Sequence, residues 1–408
     1  MSKVLKGILA VIFLLIVGVI ILNFHLGNVI KEYAREGLEY LNKDEVLLQY
    51  EKITARPITR KITLERVSFF DESITNYFCE EIVLTLSWDQ MISMIKNEET
   101  EALKKMDILA KKVFIVDEDI SLKIGTMAFS FSGLINEEII DGNTGLLLKT
   151  PQKLSFAITD IDIDSIELME EVDINLSIIT NIDKISFDLA YNPDNKTVEI
   201  EDFNIKNKII DIKGLSSCEF IGDEIDFILP GIFTLNVNGN IDGSNIDFTE
   251  DEYGYLAFKN IDFKVDFEMD LSLPGTEVFP VATVDTKITD IEYRFPDETK
   301  YYLSLMGVIS SDTDKIDITD FSYNIDMNEE DLCLHSTLKS SLFDLKVELD
   351  MLNDTYDPYI NSSSLEISNL SSDGENLVNI LEVILEQSLS RDNQGNIVIE
   401  YSGYLSEF

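Results

Sequence analysis

The sequence predicts a mainly β protein: an N-terminal transmembrane helix, then a large antiparallel curled β-sheet, groove- or sandwich-like, with a few flanking amphipathic helices. Three observations predict it. Residues 7–24 read GILAVIFLLIVGVIILNF, a run without charge in which Asn23 is the only strongly polar side chain. From about 113 to 372 apolar and polar residues alternate, as in LSFAITDIDIDSIEL, VEIEDFNIKN and IDITDFSYNIDM, which keeps one face of each strand dry and the other wet. The continuous apolar strands and crossover helices of a parallel α/β sheet are missing.

At about 1.5 Å per helical residue the apolar run spans roughly 27 Å, close to a hydrocarbon core. It exceeds the roughly 7–15 apolar residues of a secretory signal. No small-x-small cleavage site follows in NFHLGNVIKEY, and none of the three cysteines lies near it. The run is expected to stay in place as a signal anchor. No second run of spanning length exists, so a single-pass protein is expected. Lys3 and Lys6 precede the run, and positive flanks stay inside. The N-terminus is therefore expected in the cytoplasm and the body in the periplasm or another extracytoplasmic space of the cell envelope, held at the inner membrane.

The 408 residues carry 76 Asp and Glu against 32 Lys and Arg, a net charge of −44. Phosphate backbones require a basic surface, which excludes an ordinary nucleic-acid binder. At 45% hydrophobic the chain can bury a core, so its acidity does not signal disorder. Residues 1–66 hold 10 basic and 7 acidic side chains, and the remainder holds 22 and 69. Arg56, Arg60, Lys61 and Arg66 in the basic part suit either anionic headgroups or a solvated face.

Four regions are expected. Residues 1–27 form a cytoplasmic tip and the anchor. Residues 28–60 form a juxtamembrane helical segment: Val29, Ile30, Tyr33, Leu38, Leu41, Val46, Leu47 and Tyr50 recur at helical spacing over 28–53, Asn42-Lys43-Asp44 interrupts them, and Pro57 closes the region. Residues 61–372 form the antiparallel body, opening on the strand ITLERVSFF (62–70). A helical insertion at about 88–112 is marked by Trp88, Met91, Ile92, Ile95, Leu103, Met106 and Leu109. Turns are expected at Asp141-Gly142-Asn143, Asn192-Pro193-Asp194-Asn195, Asn238-Gly239-Asn240 and Asp242-Gly243. A weak unit, apolar-x-apolar-x-Asp/Asn-apolar, recurs as FAITDI (156–161), VEIEDF (198–203), LAFKNI (256–261), TKITDI (286–291), IDITDF (316–321) and LEISNL (365–370). Residues 373–408 form a cap: a helix over 373–390 with Asp373 as N-cap and Leu377, Ile380, Leu381, Ile384, Leu385 and Leu389 as its stripe, then a strand over 396–405. The helix is expected to cover an exposed sheet edge.

Reactive constellations are scarce. The only histidines are His25 and His335. His335 shares a strand face with Cys333 in DLCLHST, too little for a dyad or a metal site, and Cys79 and Cys218 have no recognisable partner. Asp160, Asp162 and Asp164 are expected on one solvated strand face, and NGNIDGSNIDFTE (238–250) fits a hairpin better than a calcium loop. Phosphate-loop, dinucleotide, nucleophile-elbow and zinc-protease motifs are absent. No catalytic, cofactor-binding or metal-binding residue is assigned, no cofactor is expected, and an enzyme is not expected.

An N-terminal anchor followed by a long alternating sheet with recurring strand-Asp-apolar units resembles the AsmA-like group among the repeating β-groove envelope proteins. The resemblance covers about 60–405 and is one of architecture. It implies an apolar inner face that carries lipid acyl chains. The strand alternation names Ile158, Ile200, Phe258, Ile288, Ile318 and Ile367 as lipid-facing groove candidates. The expected partners are membrane lipid through the anchor and a lipid ligand in the groove. The alternative, drawn from the same periodicity, is a non-enzymatic envelope scaffold or partner-binding β-sandwich. Protease added to the outer side of sealed inner membranes should digest the body beyond residue 27 and leave the anchor. A mature chain that begins after residue 22 would contradict the anchor.

Overall fold

A computed structural model describes residues 23–36, 38–39, 47–70, 76–96, 102–116, 120–136, 149–165, 181–221, 229–244, 247–250, 254–272, 280–328, 330–352, 358–384 and 388–404. Strand makes up 67% of it, and none of the described strands belongs to a second sheet. Among these residues no helix is long and apolar enough to cross a membrane; residues 7–22 of the apolar run lie outside them. The chain divides into two compact units, with the division inside strand 197–206.

The first unit is an antiparallel meander of β1 (Leu47–Arg56), β2 (Lys61–Phe70), β3 (Asn76–Leu86), β4 (Ala102–Val116), β5 (Ile120–Asn136), β6 (Gln152–Ser165) and β7 (Asn181–Asn192). Helix α1, described over 23–36, and α2 (Trp88–Lys96) lie on its β1–β3 end. There Ile30, Met91 and Met94 bury themselves against Ile53, Ile62 and Leu86. Gly27 allows α1 to approach: a Cβ there would sit 2.6 Å from the Ala55 carbonyl oxygen.

Two rows of apolar partners cross β2 to β7. One is Leu64, Ile82, Ala110, Met127, Ile158 and Ile185; the other is Val67, Cys79, Val113, Ile124, Ile161 and Ile182. In each strand the rows stand three residues apart, whereas a regular pleat returns a face every two residues. The phase is reset along a line between them. Arg66 (φ 54°), Lys112 (φ 51°) and Asp160 (φ 54°), in alternate strands, take left-handed backbone there. The ladder register is the same on both sides of the line, so no residue is inserted and the left-handed backbone alone resets the face. The charges along the line lie outward and pair: Arg66 with Glu51 at 2.6 Å, Lys112 with Glu80 at 2.6 Å and Lys111 with Glu81 at 3.1 Å. Arg66 is therefore an ion-pair partner on β2.

The recurring unit of the sequence acquires a cause here. Its Asp or Asn is the left-handed residue in FAITDI (Asp160), TKITDI (Asp290, φ 50°) and LEISNL (Asn369, φ 53°), the residue types that tolerate this geometry best after glycine. In IDITDF the ladder shifts register at Thr319 instead. Asp202 and Asn260 are not left-handed.

Beyond β8 (Thr197–Lys206), the second unit runs β9 (Ile210–Ile221), β10 (Leu229–Asp242), then β13 (Asn260–Asp270), β14 (Val281–Arg294), β15 (Lys315–Met327), β16 (Asp331–Ser340), β17 (Asp344–Leu352), β18 (Tyr359–Ser368) and β19 (Ile397–Tyr404), each antiparallel to the next. The short hairpin β11 (Asp247–Glu250) and β12 (Gly254–Ala257) pairs with the end of β14. Helix α3 (Asp297–Leu305) joins β14 to β15, and α4 (Ser372–Ile384) joins β18 to β19.

Several expectations need correction. The helix expected over 88–112 ends at Lys96, and 102–116 is β4; the helix expected over 28–53 gives way to β1 from Leu47. Both errors share a source: Leu47 and Tyr50 in β1, and Leu103, Met106 and Leu109 in β4, are spaced by three, which imitates a helix. Asn238-Gly239-Asn240 lies inside β10, where Gly239 makes room for the Phe263 ring that a Cβ would strike. The turns at 193–196 and at Gly243 stand where expected; Asp141-Gly142-Asn143 lies outside the described residues. Helix α4 is capped by Ser371, whose Oγ accepts from the Gly374 N–H at 3.1 Å. Asp373 is buried and accepts from the Ser310 N–H at 3.0 Å and the Thr313 hydroxyl at 2.5 Å. The helix is thus tied to the loop before β15, at strand ends. Its buried apolar side chain is Val378, while Leu381 and Ile384 are exposed. Helix α3 was not foreseen, although Pro296 followed by Asp297 and Glu298 is a helix-start signal.

Gly125 faces Asp160, and a Cβ there would lie 2.7 Å from the Asp160 Cβ. Gly125→Ala should therefore lower stability by about 1–3 kcal/mol. Asp160→Gly should be nearly neutral, whereas Asp160→Val should cost about 1–2 kcal/mol for its left-handed backbone. Urea midpoints of the three variants test the assignment; equal midpoints for Asp160→Gly and Asp160→Val would refute it.

Candidate functional site

The register of the second unit sorts its side chains by face. One row joins Ile210, Ile241, Ile261, Ile288, Phe321, Leu338, Leu345, Ile367 and Ile397; another joins Val237, Val265, Val284, Ile325, Leu334 and Leu349; a third joins Leu235, Phe267, Ala282, Met327, Leu332 and Met351. Phe263, Tyr323, Val347 and Leu365 stand between the first two. These rows form one apolar face. A second layer would bury most of it, yet of these side chains only Ala282 and Ile397 are buried, and the rest are half-open.

The opposite face is polar, and most of its charged side chains are paired with one another. A depression of 810 Å³ lies on it, lined by Lys213, Lys264 and Lys287 with Asp211, Asp262 and Asp285. Each lysine already has a carboxylate: Lys213 has Asp211 at 3.1 Å, Lys264 has Asp266, and Lys287 has Asp320 at 3.0 Å. Asp262 accepts from Asn240 and Asn260 at 2.6 Å, and Asp285 accepts from Asn324 at 2.5 Å. Further along, hydrogen bonds from Lys315 and then Arg294 hold Glu292 below the usual carboxylate range.

The ion pairs also report the phase. Asp285 and Lys287 lie on the polar face before Asp290, and Glu292 and Arg294 after it. Ile291 therefore stands on the same face as Ile288, and its ladder partner Ile318 joins them.

In the first unit the apolar face continues past the helices over β4–β7, where Ile108, Phe129, Phe156 and Phe187 are partners and half-open. The Phe156 and Phe187 rings lie 5.5 Å apart.

Of the groove candidates, Ile158 sits on the first unit's apolar face, and Ile288, Ile318 and Ile367 share that of the second. Ile200 is half-buried in β8. Phe258 falls between β12 and β13 and packs on Gly243, so closely that a Cβ there would meet its ring. The alternation that selected these residues missed Val265, Ile325 and Leu334 at the centre of the face, because they carry no recurring unit and only the register aligns them.

Nucleophilic chemistry finds no support in the thiols. Burial pushes the Cys79, Cys218 and Cys333 thiols up from their ordinary value, and Asp350, Asp326 and Asp331 reinforce this at Cys333. A reactive thiolate requires the opposite shift. Among the described residues no group of three or more His, Cys, Asp or Glu is placed to hold a metal ion. Comparison with family models, with curated proteins and with solved structures gives no match.

An open apolar face should take up a neutral dye without unfolding. Nile red fluorescence should rise with the native chain, fall about several-fold in Val265→Asp, where a charge makes the wall unfavourable to apolar solutes, and stay unchanged in Lys264→Asp on the polar face. Equal dye uptake by both variants would show that the face is not the site.

Proposed function

We propose that the protein is a membrane-anchored, extracytoplasmic acyl-chain binder that holds or passes lipid along the apolar face of its sheet. The observation that carries this reading is the combination of three aligned apolar rows, one from β9 to β19 and two from β10 to β17, with side chains left half-open. Each CH₂ moved from water onto an apolar wall contributes about 0.8 kcal/mol, so a partly sheltered chain of roughly 14 carbons would be held by several kcal/mol. Rows of Ile, Val, Leu and Phe supply such a wall without a specific headgroup pocket, which suits a lipid class better than a single lipid. The uncharged run at 7–24 supplies the tether and brings the sheet to its lipid source. The resemblance to AsmA-like envelope proteins points the same way. An envelope scaffold with a filled core is the competing reading, and the half-open side chains disfavour it.

Photo-crosslinkers placed in cells at Val265 and Ile325 should label lipid, while the same group at Lys264 and Asn324 should not. Crosslinks from Val265 and Ile325 to protein alone would mean that the face is filled, and the scaffold reading would then replace lipid binding.

A further inference from the structure

We infer that one end of the first unit is a seating surface for an anionic phospholipid bilayer, built from the start of α1, the β1–β2 turn and the start of α2. The inference rests on the reading of residues 7–24 as an anchor and adds, beside the end of that run, a contact of the β1–β2 turn and α2 with the same membrane.

Three separate chain segments are fixed together there. The Asn23 side-chain oxygen accepts from the Ile58 N–H at 3.1 Å. Gly27 lies against Ala55 and Pro57, with space for no Cβ. The Arg60 carbonyl accepts from the Leu86 N–H at 3.1 Å, one residue before the loop into α2. The Arg60 guanidinium lies 5.7 Å from the centre of the Trp88 ring. The turn itself is held by Pro57 and by left-handed Arg60, whose N–H bonds back to the Pro57 carbonyl at 2.9 Å.

This fixed end presents large apolar side chains to the outside. Phe24 is 72% exposed, Ile58 50%, Trp88 53% and Ile92 45%. Trp88 and Ile92 stand one turn apart on α2, while Met91 and Met94 on its other face are buried in the core. A nine-residue helix that buries one apolar face and exposes a second has an unmet partner on the exposed side.

Charge names the partner. Arg56 and Arg60 flank Ile58, and among the described residues neither has a carboxylate partner. The acids that line one depression with Arg56 are engaged elsewhere, Glu65 with Lys52 at 2.6 Å, Glu80 with Lys112 at 2.6 Å and Glu81 with Lys111 at 3.1 Å, as is Asp89 next to Trp88 with Lys104 at 3.7 Å. Tryptophan and arginine beside exposed aliphatic side chains match the headgroup level of a bilayer, where rings sit among glycerol groups and guanidinium groups meet phosphates. The strongly acidic remainder of the chain would be repelled from the same surface, so this end alone approaches it. The uncharged run ends at this surface as well, since Asn23 follows directly on residues 7–22.

Trp88 is the only tryptophan, so intrinsic emission reports this surface alone. The full chain would be reconstituted into phosphatidylcholine–phosphatidylglycerol vesicles carrying acyl chains brominated near the headgroup or near the methyl end. Trp88 emission should shift to the blue and be quenched more by the shallow bromine. Arg56→Glu and Ile58→Asp, both at exposed turn positions, should each reduce that quenching by about half or more, and vesicles of phosphatidylcholine alone should reproduce the loss. Far-ultraviolet circular dichroism of the variants confirms that they fold. A chain that survives an alkaline carbonate wash of the vesicles yet shows unquenched, water-exposed Trp88 emission overturns the seating surface and leaves the anchor standing. Quenching at neutral pH in a chain that the wash removes overturns the anchor and upholds the surface. A chain that neither binds nor is quenched overturns both.

Discussion

A β-sheet with an apolar face that, among the described residues, has no second layer over it is the constraint on which the rest of the second unit depends. In a sandwich, side chains from two sheets interdigitate and each is nearly closed to water. Here Val265 has Val237 and Val284 beside it on the ladder, and Ile325 has Val284 and Leu334, but both remain half-open above. Stability must then come from the hydrogen-bonded ladder and from contacts along the rows. The other face is accordingly dense in Asn–Asp hydrogen bonds and short ion pairs, such as Asn324 to Asp285 and Lys287 to Asp320. Individually exposed ion pairs contribute little. Their larger effect is to keep that face wet, so that the apolar face alone seeks an apolar partner.

The same constraint explains the local geometry. A single-layer sheet is not held in shape by an opposing layer, so its bends must be written into the strands. In the first unit left-handed Arg66, Lys112 and Asp160 reset the face of alternate strands, and Gly125 leaves the space that Asp160 needs. In the second, Asp290 on β14 stands beside the register shift at Thr319 on β15. Each device turns two successive side chains outward and returns the apolar series to the same face, so the rows stay continuous through the reset.

Much of this was legible in the sequence, and the failures have a physical pattern. Period-two alternation identified the strand-rich body because one-sided burial leaves that mark on every strand. The recurring Asp or Asn marked a left-handed backbone position at Asp160, Asp290 and Asn369 but not at Asp202, Asn260 or Asp320, and spacing alone did not reveal the geometry. A three-residue step from Leu47 to Tyr50, and from Leu103 to Met106 to Leu109, imitated a helix and cost the assignment of β1 and β4. Gly239 suggested a turn because a glycine between two asparagines usually makes one, whereas its role is to clear a ring on the neighbouring strand. For the site, Ile158, Ile288, Ile318 and Ile367 lie on apolar faces, since face follows from local alternation. Which strands align, and hence that Val265, Val284, Ile325 and Leu334 form the centre, depends on register between distant segments. The exposed cluster of Phe24, Ile58, Trp88 and Ile92 was equally illegible, because it is assembled from three segments and Trp88 and Ile92 were read as core.

The most direct measurement of whether the open face takes an acyl chain is the electron paramagnetic resonance spectrum of stearic acid spin-labelled near its methyl end, added to the purified full chain. A broad, immobilised component that disappears in Val265→Asp/Ile325→Asp, but persists in Lys264→Asp with its comparable change of charge, is the expected result. A spectrum in which the immobilised component is absent, or is equally strong in all three proteins, would contradict lipid binding on this face.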